Sequence, residues 1–147
     1  MQTHWPGNIG YLTAEKAAWP EVAEIVAALE SAVAAGNLTF YGCCNFGTED
    51  LAAFLGAGGK PVSNQLPYNL LFRTIESGIL PACIDKNIGV LTYSSLQQAL
   101  LTGKFTDPST VPEGRRRTTL FSADSTPKSR HGGPGVETEL FGKNAAA

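Results

Sequence analysis

Ile88-Gly-Val-Leu-Thr-Tyr93-Ser-Ser-Leu-Gln-Gln98-Ala-Leu-Leu-Thr-Gly-Lys104-Phe105 is the stretch whose reading decides the fold. Its first part, Gly89-Val90-Leu91-Thr92-Tyr93, is short, apolar, β-branched and aromatic. Gly and Ser bound it, which is the pattern of a buried parallel strand. The strand runs into a polar loop containing Ser94, Ser95, Gln97, Gln98, Thr102 and Lys104. In α/β folds ligands gather at the carboxyl ends of strands, so this loop is where a binding site belongs. Tyr93 offers a flat face, the hydroxyls and backbone amides offer donors, and Lys104 offers a cation for a phosphate. Those groups suit a nucleotide. A plain strand-to-loop junction with a solvated lysine accounts for the stretch equally well when it is read alone.

Upstream of this stretch the chain alternates strand and helix. Met1-Gln-Thr-His4 reads as the end of a strand whose beginning is missing, and Gly7 to Trp19 reads as loop. Pro20 suits the first residue of a helix, where its missing N–H is not needed. Val22, Ile25, Val26, Leu29 and Val33 then follow at three- and four-residue steps, an amphipathic stripe stopped by Gly36. A strand is expected over 38–44. Thr48 is placed to cap a second helix, with Glu49 and Asp50 in its first turn and Leu51, Phe54 and Leu55 buried. A third strand is expected over 61–65. A helix from about Glu76 to Lys86 turns Ile79, Leu80, Cys83 and Ile84 inward and tolerates Pro81 in its first turn. With the strand over 89–93 this is the βαβ alternation of a parallel sheet of about four strands, with outer helices.

Composition narrows the classes of function. The chain has 147 residues, enough for one core, and a net charge of −2, which makes no electrostatic case for nucleic acid or an anionic membrane. No apolar run approaches the roughly 18 residues of a membrane span. Cys43, Cys44 and Cys83 form an odd set without ligand spacing or a disulfide framework, and no metal site is expected. They read as reduced thiols filling core space in a cytoplasmic setting. Beyond Phe105 the sequence turns rich in Pro, Gly, Ser, Thr and Arg. Residues 1–105 are therefore expected to form the folded part and 106–147 a loop-rich, poorly ordered tail. Arg115-Arg116-Arg117 reads as a solvated charge run.

Several of these strand ends together resemble the aldo-keto reductases, and the resemblance covers most of the chain. His4-Trp5-Pro6 resembles that family's strand-end histidine motif. Gly42-Cys43-Cys44-Asn45-Phe46 resembles its Gly-x-Ser-Asn-Phe motif, with Cys44 in place of serine. Asn64-Gln65 with Tyr68-Asn69, and Tyr93-Ser94-Ser95-Leu96 through Lys104, resemble the next two strand ends, and Arg130 to Gly135 a variable loop of some members. Four motifs in order are far more specific than any one of them. The resemblance implies a (β/α)8 TIM barrel, here a partial one, that reduces aldehydes or ketones to alcohols with NADPH or NADH. It implies that His4 orients the substrate carbonyl and that Cys44, Asn45 and Gln65 hold the nicotinamide carboxamide. Tyr93 would stack on the nicotinamide ring, and Ser94, Leu96 and Lys104 would lie along the diphosphate. The chemistry is apt, since an amide needs paired donors and acceptors, a ring needs a flat partner and a diphosphate needs amides, hydroxyls and a cation.

The departures from the family pattern set the competing expectation. A whole barrel takes about 250 residues. The family's proton-donating tyrosine, with its lysine and aspartate, lies on earlier strands, and Tyr11 and Lys16 fall in a loop where they cannot replace them. The segment for the adenosine 2′-phosphate comes later than this chain reaches, so NADP and NAD are not distinguished. Cysteine also bonds an amide less well than serine does. The second reading is thus a non-catalytic half-barrel that binds a nucleotide or a partner, or that self-associates through open sheet edges. A Rossmann-type binder is disfavoured because no Gly-x-Gly-x-x-Gly opens a helix. A general acid contributes about 10²–10⁴-fold in rate, so the 147-residue chain by itself is expected to consume no NADPH above background with a panel of aldehydes. Steady turnover that His4→Ala abolishes would contradict this.

Overall fold

The computed structural model describes residues 1–4, 20–97 and 100–103. They divide into two compact units, one of residues 1–4, 20–67 and 74–93, and one of residues 68–73, 94–97 and 100–103. The first unit holds, in order, α1 (Val22–Ala34), β1 (Cys43–Cys44), α2 (Thr48–Gly56), β2 (Ser63–Pro67), a 3₁₀ turn (Thr74–Ser77), α3 (Ile79–Asp85) and β3 (Gly89–Tyr93). The strands form a parallel sheet in the order β1-β2-β3, with Cys43 beside Asn64 and Asn64 beside Val90. The N-terminal segment joins this edge through one parallel bridge, Gln2 to Gly42, and the Thr3 N–H donates to the Gly42 carbonyl at 3.0 Å. The result is a partial (β/α)8 barrel: parallel strands, with α1, α2 and α3 supplying one covering layer.

The core lies between that layer and one face of the sheet. Val26 and Leu29 of α1, Leu51 and Phe54 of α2 and Cys83 of α3 meet Tyr41, Cys43, Phe46 and Ile88. Phe54 takes Phe46 edge-on at 5.2 Å and Tyr41 at 6.2 Å between ring centres, the arrangement that sets the positive edge of one ring on the negative face of another. The α1 stripe buries Val26 and Leu29, with Val22, Ile25 and Val33 packed at its margin. At its end Gly36 takes φ +73 and donates to the Val33 carbonyl, while the Asn37 N–H reaches Ala32. This pair of bonds uses carbonyls that the last turn leaves open, and a glycine suits the left-handed residue between them. Tyr41 ties α1 to the sheet: its hydroxyl donates to the Glu30 carboxylate and accepts the Lys60 backbone N–H.

Asn64 is a buried polar exception in this apolar layer. It is fully buried, its Nδ2 donates to the Phe46 carbonyl at 3.0 Å, and its Oδ1 accepts the Phe46 N–H at 3.4 Å. One β2 side chain therefore satisfies both backbone groups of the residue that turns the chain from β1 into α2.

Several sequence expectations need correcting. The strand expected over 38–44 is regular only at Cys43–Cys44, and the one expected over 61–65 lies two residues later, at Ser63–Pro67. Pro61 has no N–H to give to a ladder, and pairing begins once the Val62 N–H donates to the Tyr41 carbonyl. Pro20 precedes α1, whose N-cap is Glu21. Gly47 rather than Thr48 caps α2, and the Asp50 carboxylate reaches back to accept the Gly47 N–H at 3.0 Å. The helix expected from Glu76 starts at Ile79, because Gly78 (φ −154) separates a 3₁₀ turn from α3. That break rotates the helix, so Ile79, Ala82 and Cys83 face the core and Ile84 is exposed. β3 is not the buried strand the sequence suggested: it lies at the edge of the strand order, and Leu91 is 51% exposed. Residues 5–19 and 104–147, which include Lys104, the arginine run and the expected tail, lie outside the described residues.

Two measurements test this packing. Asn64→Leu keeps the volume but strands the Phe46 N–H and C=O, at about 1–3 kcal/mol for each buried group left unbonded. Urea unfolding is expected to show that loss. Burial holds the Cys43 thiol up at about 12 against an ordinary 9, and raises Cys44 and Cys83. Burial, with the Glu30 carboxylate, holds Tyr41 at about 12 against 10. Each group ionises more readily in the unfolded chain, so its contribution is complete below its unfolded pKa and is lost as pH rises through the folded one. The urea midpoint is expected to fall progressively between pH 9 and 12, and a flat midpoint over that range would contradict the burial.

Candidate functional site

The carboxyl ends of the strands bring together five of the residues singled out in the sequence. Register places Cys44, Gln65 and Leu91 in one row across the sheet, and alternation sets Tyr93 on the same face, away from the helices. Asn45 follows β1 with φ +62, a left-handed conformation that asparagine tolerates better than most residues with a Cβ. This bend carries its side chain along the rim. The Tyr93 hydroxyl donates to Asn45 Oδ1 at 2.7 Å, and Asn45 Nδ2 donates to the His4 carbonyl at 3.1 Å and to Cys44 Sγ at 3.3 Å. The Asn45 backbone N–H donates to the Gln65 carbonyl at 2.9 Å. One asparagine therefore links the N-terminal segment, β1, β2 and β3.

The exposure of these groups divides them. His4 is exposed, while Gln65, Tyr93 and Asn45 are half-buried, so each can present atoms to a ligand. Cys44 is 3% exposed, and burial pushes its thiol upward, keeping it protonated near neutrality. It is thus a neutral, weak bonding group held behind Asn45 and not an open nucleophile. Among the described residues no three His, Cys, Asp or Glu side chains gather as a metal site.

Ser94 and Leu96 belong to the second unit. Ser94 is half-buried with φ +53, and Leu96 is exposed, its carbonyl accepting the Leu101 N–H at 3.2 Å. Lys104 lies outside the described residues. Sequence reasoning passed over two residues here, Asn69 and Gln97, which are 9% and 7% exposed and bonded to each other. Asn69 belongs to the strand-end motif Tyr68-Asn69, which assigns it no role of its own. Gln97 looked like ordinary loop polarity.

Comparison with known proteins bears on the fold and the family. The Aldo/keto reductase family matches residues 1–137. An NADH-specific methylglyoxal reductase of Escherichia coli is 33% identical over 114 residues, 78% of this chain and 32% of its own length. The glycerol dehydrogenase of Gluconobacter oxydans superposes with a TM-score of 0.65 at 30% identity, over 98% of this chain and 38% of that one. An aldo-keto reductase from Klebsiella pneumoniae, solved in complex with NADPH, superposes with a TM-score of 0.54 at 31% identity, over 72% of this chain and 33% of that one. The chain spans about a third of the length of these relatives. Four strand-end motifs, a parallel βα sheet and a match across residues 1–137 place the chain in the aldo/keto reductase family.

Proposed function

We propose that this chain carries the nicotinamide end of the cofactor site of an NAD(P)H-dependent reductase that converts aldehydes or ketones to alcohols. The observation that carries the reading is the hydrogen-bonded line Tyr93–Asn45–His4 along the strand ends. The donor set fits a nicotinamide. Asn45 and Gln65 have both amide donors and acceptors for a carboxamide, and Tyr93 has a ring whose hydroxyl is anchored by Asn45, which fixes the plane available for stacking. When bound, the cofactor supplies the hydride. This chain's residues orient it. His4 positions the substrate carbonyl, and Ser94, Leu96 and Lys104 follow the diphosphate. Cys44 serves from behind, by holding the Asn45 amide through its sulfur.

Small carbonyl compounds as substrates are supported by the E. coli relative, whose name specifies methylglyoxal. NADPH or NADH as cofactor is supported by the Klebsiella complex and by that same relative. No helix among the described residues is long and apolar enough to cross a membrane. Three free buried thiols favour a reducing compartment such as the cytoplasm. A second reading, self-association, is favoured by one observation: among the described residues β3 is the outermost strand, and its Leu91 is 51% exposed on the face away from the helices. A second copy could cover it.

NADPH titration of the isotope-labelled chain, followed by NMR, tests the first reading. The side-chain amides of Asn45 and Gln65 and the Tyr93 backbone are expected to shift together. Tyr93→Ala is expected to weaken binding about 2- to 12-fold, the worth of one stacked aromatic beyond its buried area. Equal affinity in the variant would make Tyr93 a packing residue and remove the cofactor role. Native mass spectrometry of the same sample decides between monomer and dimer.

A further inference from the structure

The second unit joins two loops, 68–73 after β2 and the segment from Ser94 after β3, and one carboxamide holds them together. Asn69 uses every bonding position of its side chain. Its Oδ1 accepts the backbone N–H of Leu71 and of Phe72, both at 2.9 Å. Its Nδ2 donates to the Ser94 carbonyl at 3.0 Å and to Gln97 Oε1 at 2.5 Å. The far loop needs such support. Ser94 and Gln97 stand at φ +53 and +46, a left-handed region that residues with a Cβ disfavour. Across that turn the Gln97 N–H donates to the Ser94 carbonyl at 2.8 Å. Asn69 grips both ends of this strained turn, and both amides are buried.

We propose that Asn69 is a positioning residue, which presets the 94–97 turn within the second unit for a dinucleotide's diphosphate. This rests on the cofactor reading above, in which Ser94 and Leu96 follow that group. A diphosphate is bound largely through backbone amides and hydroxyls, whose directions depend on the loop's φ and ψ. A turn that had to adopt two left-handed residues on binding would subtract that ordering from the affinity, and a turn already held subtracts nothing. The position needs a carboxamide, which both donates and accepts. Aspartate keeps the acceptor for Leu71 and Phe72 but cannot donate, and alanine does neither.

The test uses the full 147-residue chain, isotope-labelled, as parent, Asn69→Asp and Asn69→Ala. Amide exchange is measured without ligand, and NADPH and reduced nicotinamide mononucleotide, which has no diphosphate, are titrated separately. In Asn69→Asp the 94–97 amides are expected to exchange at least about tenfold faster, the consequence of losing both hydrogen bonds that Nδ2 donates, while the β2 amides keep the parent rate. NADPH affinity is expected to fall by a similar factor and mononucleotide affinity to stay unchanged. Parent-like exchange at 94–97 would overturn the proposal, as would equal losses for both ligands, which would mean general loosening. If exchange rises as expected but NADPH moves no 94–97 amide in the parent, the tether exists and the cofactor reading fails. The two failures are therefore distinct.

Discussion

The Asn64 carboxamide is the constraint on which the first unit depends. It sits fully buried on the helix-facing side of β2 and bonds both backbone groups of Phe46. In water those groups would be satisfied at no cost, but in the core they need a partner. With the partner in place, Phe46 can bury its ring against Phe54, and the chain can leave β1 at a fixed angle and enter α2. A sheet position, a loop and the start of α2 are thus referred to one amide. Apolar packing alone would hold them together without fixing their register.

The same economy governs the rim. Asn45 is forced left-handed where β1 ends, and that bend is what turns its side chain along the sheet toward Tyr93 and away from the helices. Three asparagines therefore carry the polar architecture: Asn64 inside, Asn45 at the strand ends and Asn69 in the second unit. Each is short enough for its position to be set by the backbone, and each has a donor and an acceptor group. Longer glutamine would reach the same partners only by fixing another torsion.

Much of this was legible in the chain. The apolar stripe of α1, the stop at Gly36, the first-turn Pro81 and the strand Gly89–Tyr93 follow from periodicity and from the backbone limits of glycine and proline. The strand ends carrying His4, Asn45, Gln65 and Tyr93 were also readable, because their motifs come in order. What escaped was register and depth. The two-residue displacement of β2 depends on which N–H meets Tyr41, a long-range pairing that local sequence does not encode. The exposure of Ile84 follows from the break at Gly78, which looked like one more helical residue. Leu91 reads as buried by composition, yet its environment is set by strand order. Asn69 and Gln97 were invisible as a pair because they lie 28 residues apart and meet only in three dimensions.

The buried thiols make the fold its own reporter. Cys43 and Cys83 are wholly enclosed, one on β1 and one on α3, and Cys44 is nearly so. An alkylating reagent requires an accessible thiolate, and enclosure denies both access and ionisation. Modification must then wait for each element to open, so the labelling rate at each cysteine becomes a clock of local opening. Peptide mapping of partly labelled protein would rank β1 against α3 without any introduced probe, and would reveal whether sheet and helix come apart together or in turn.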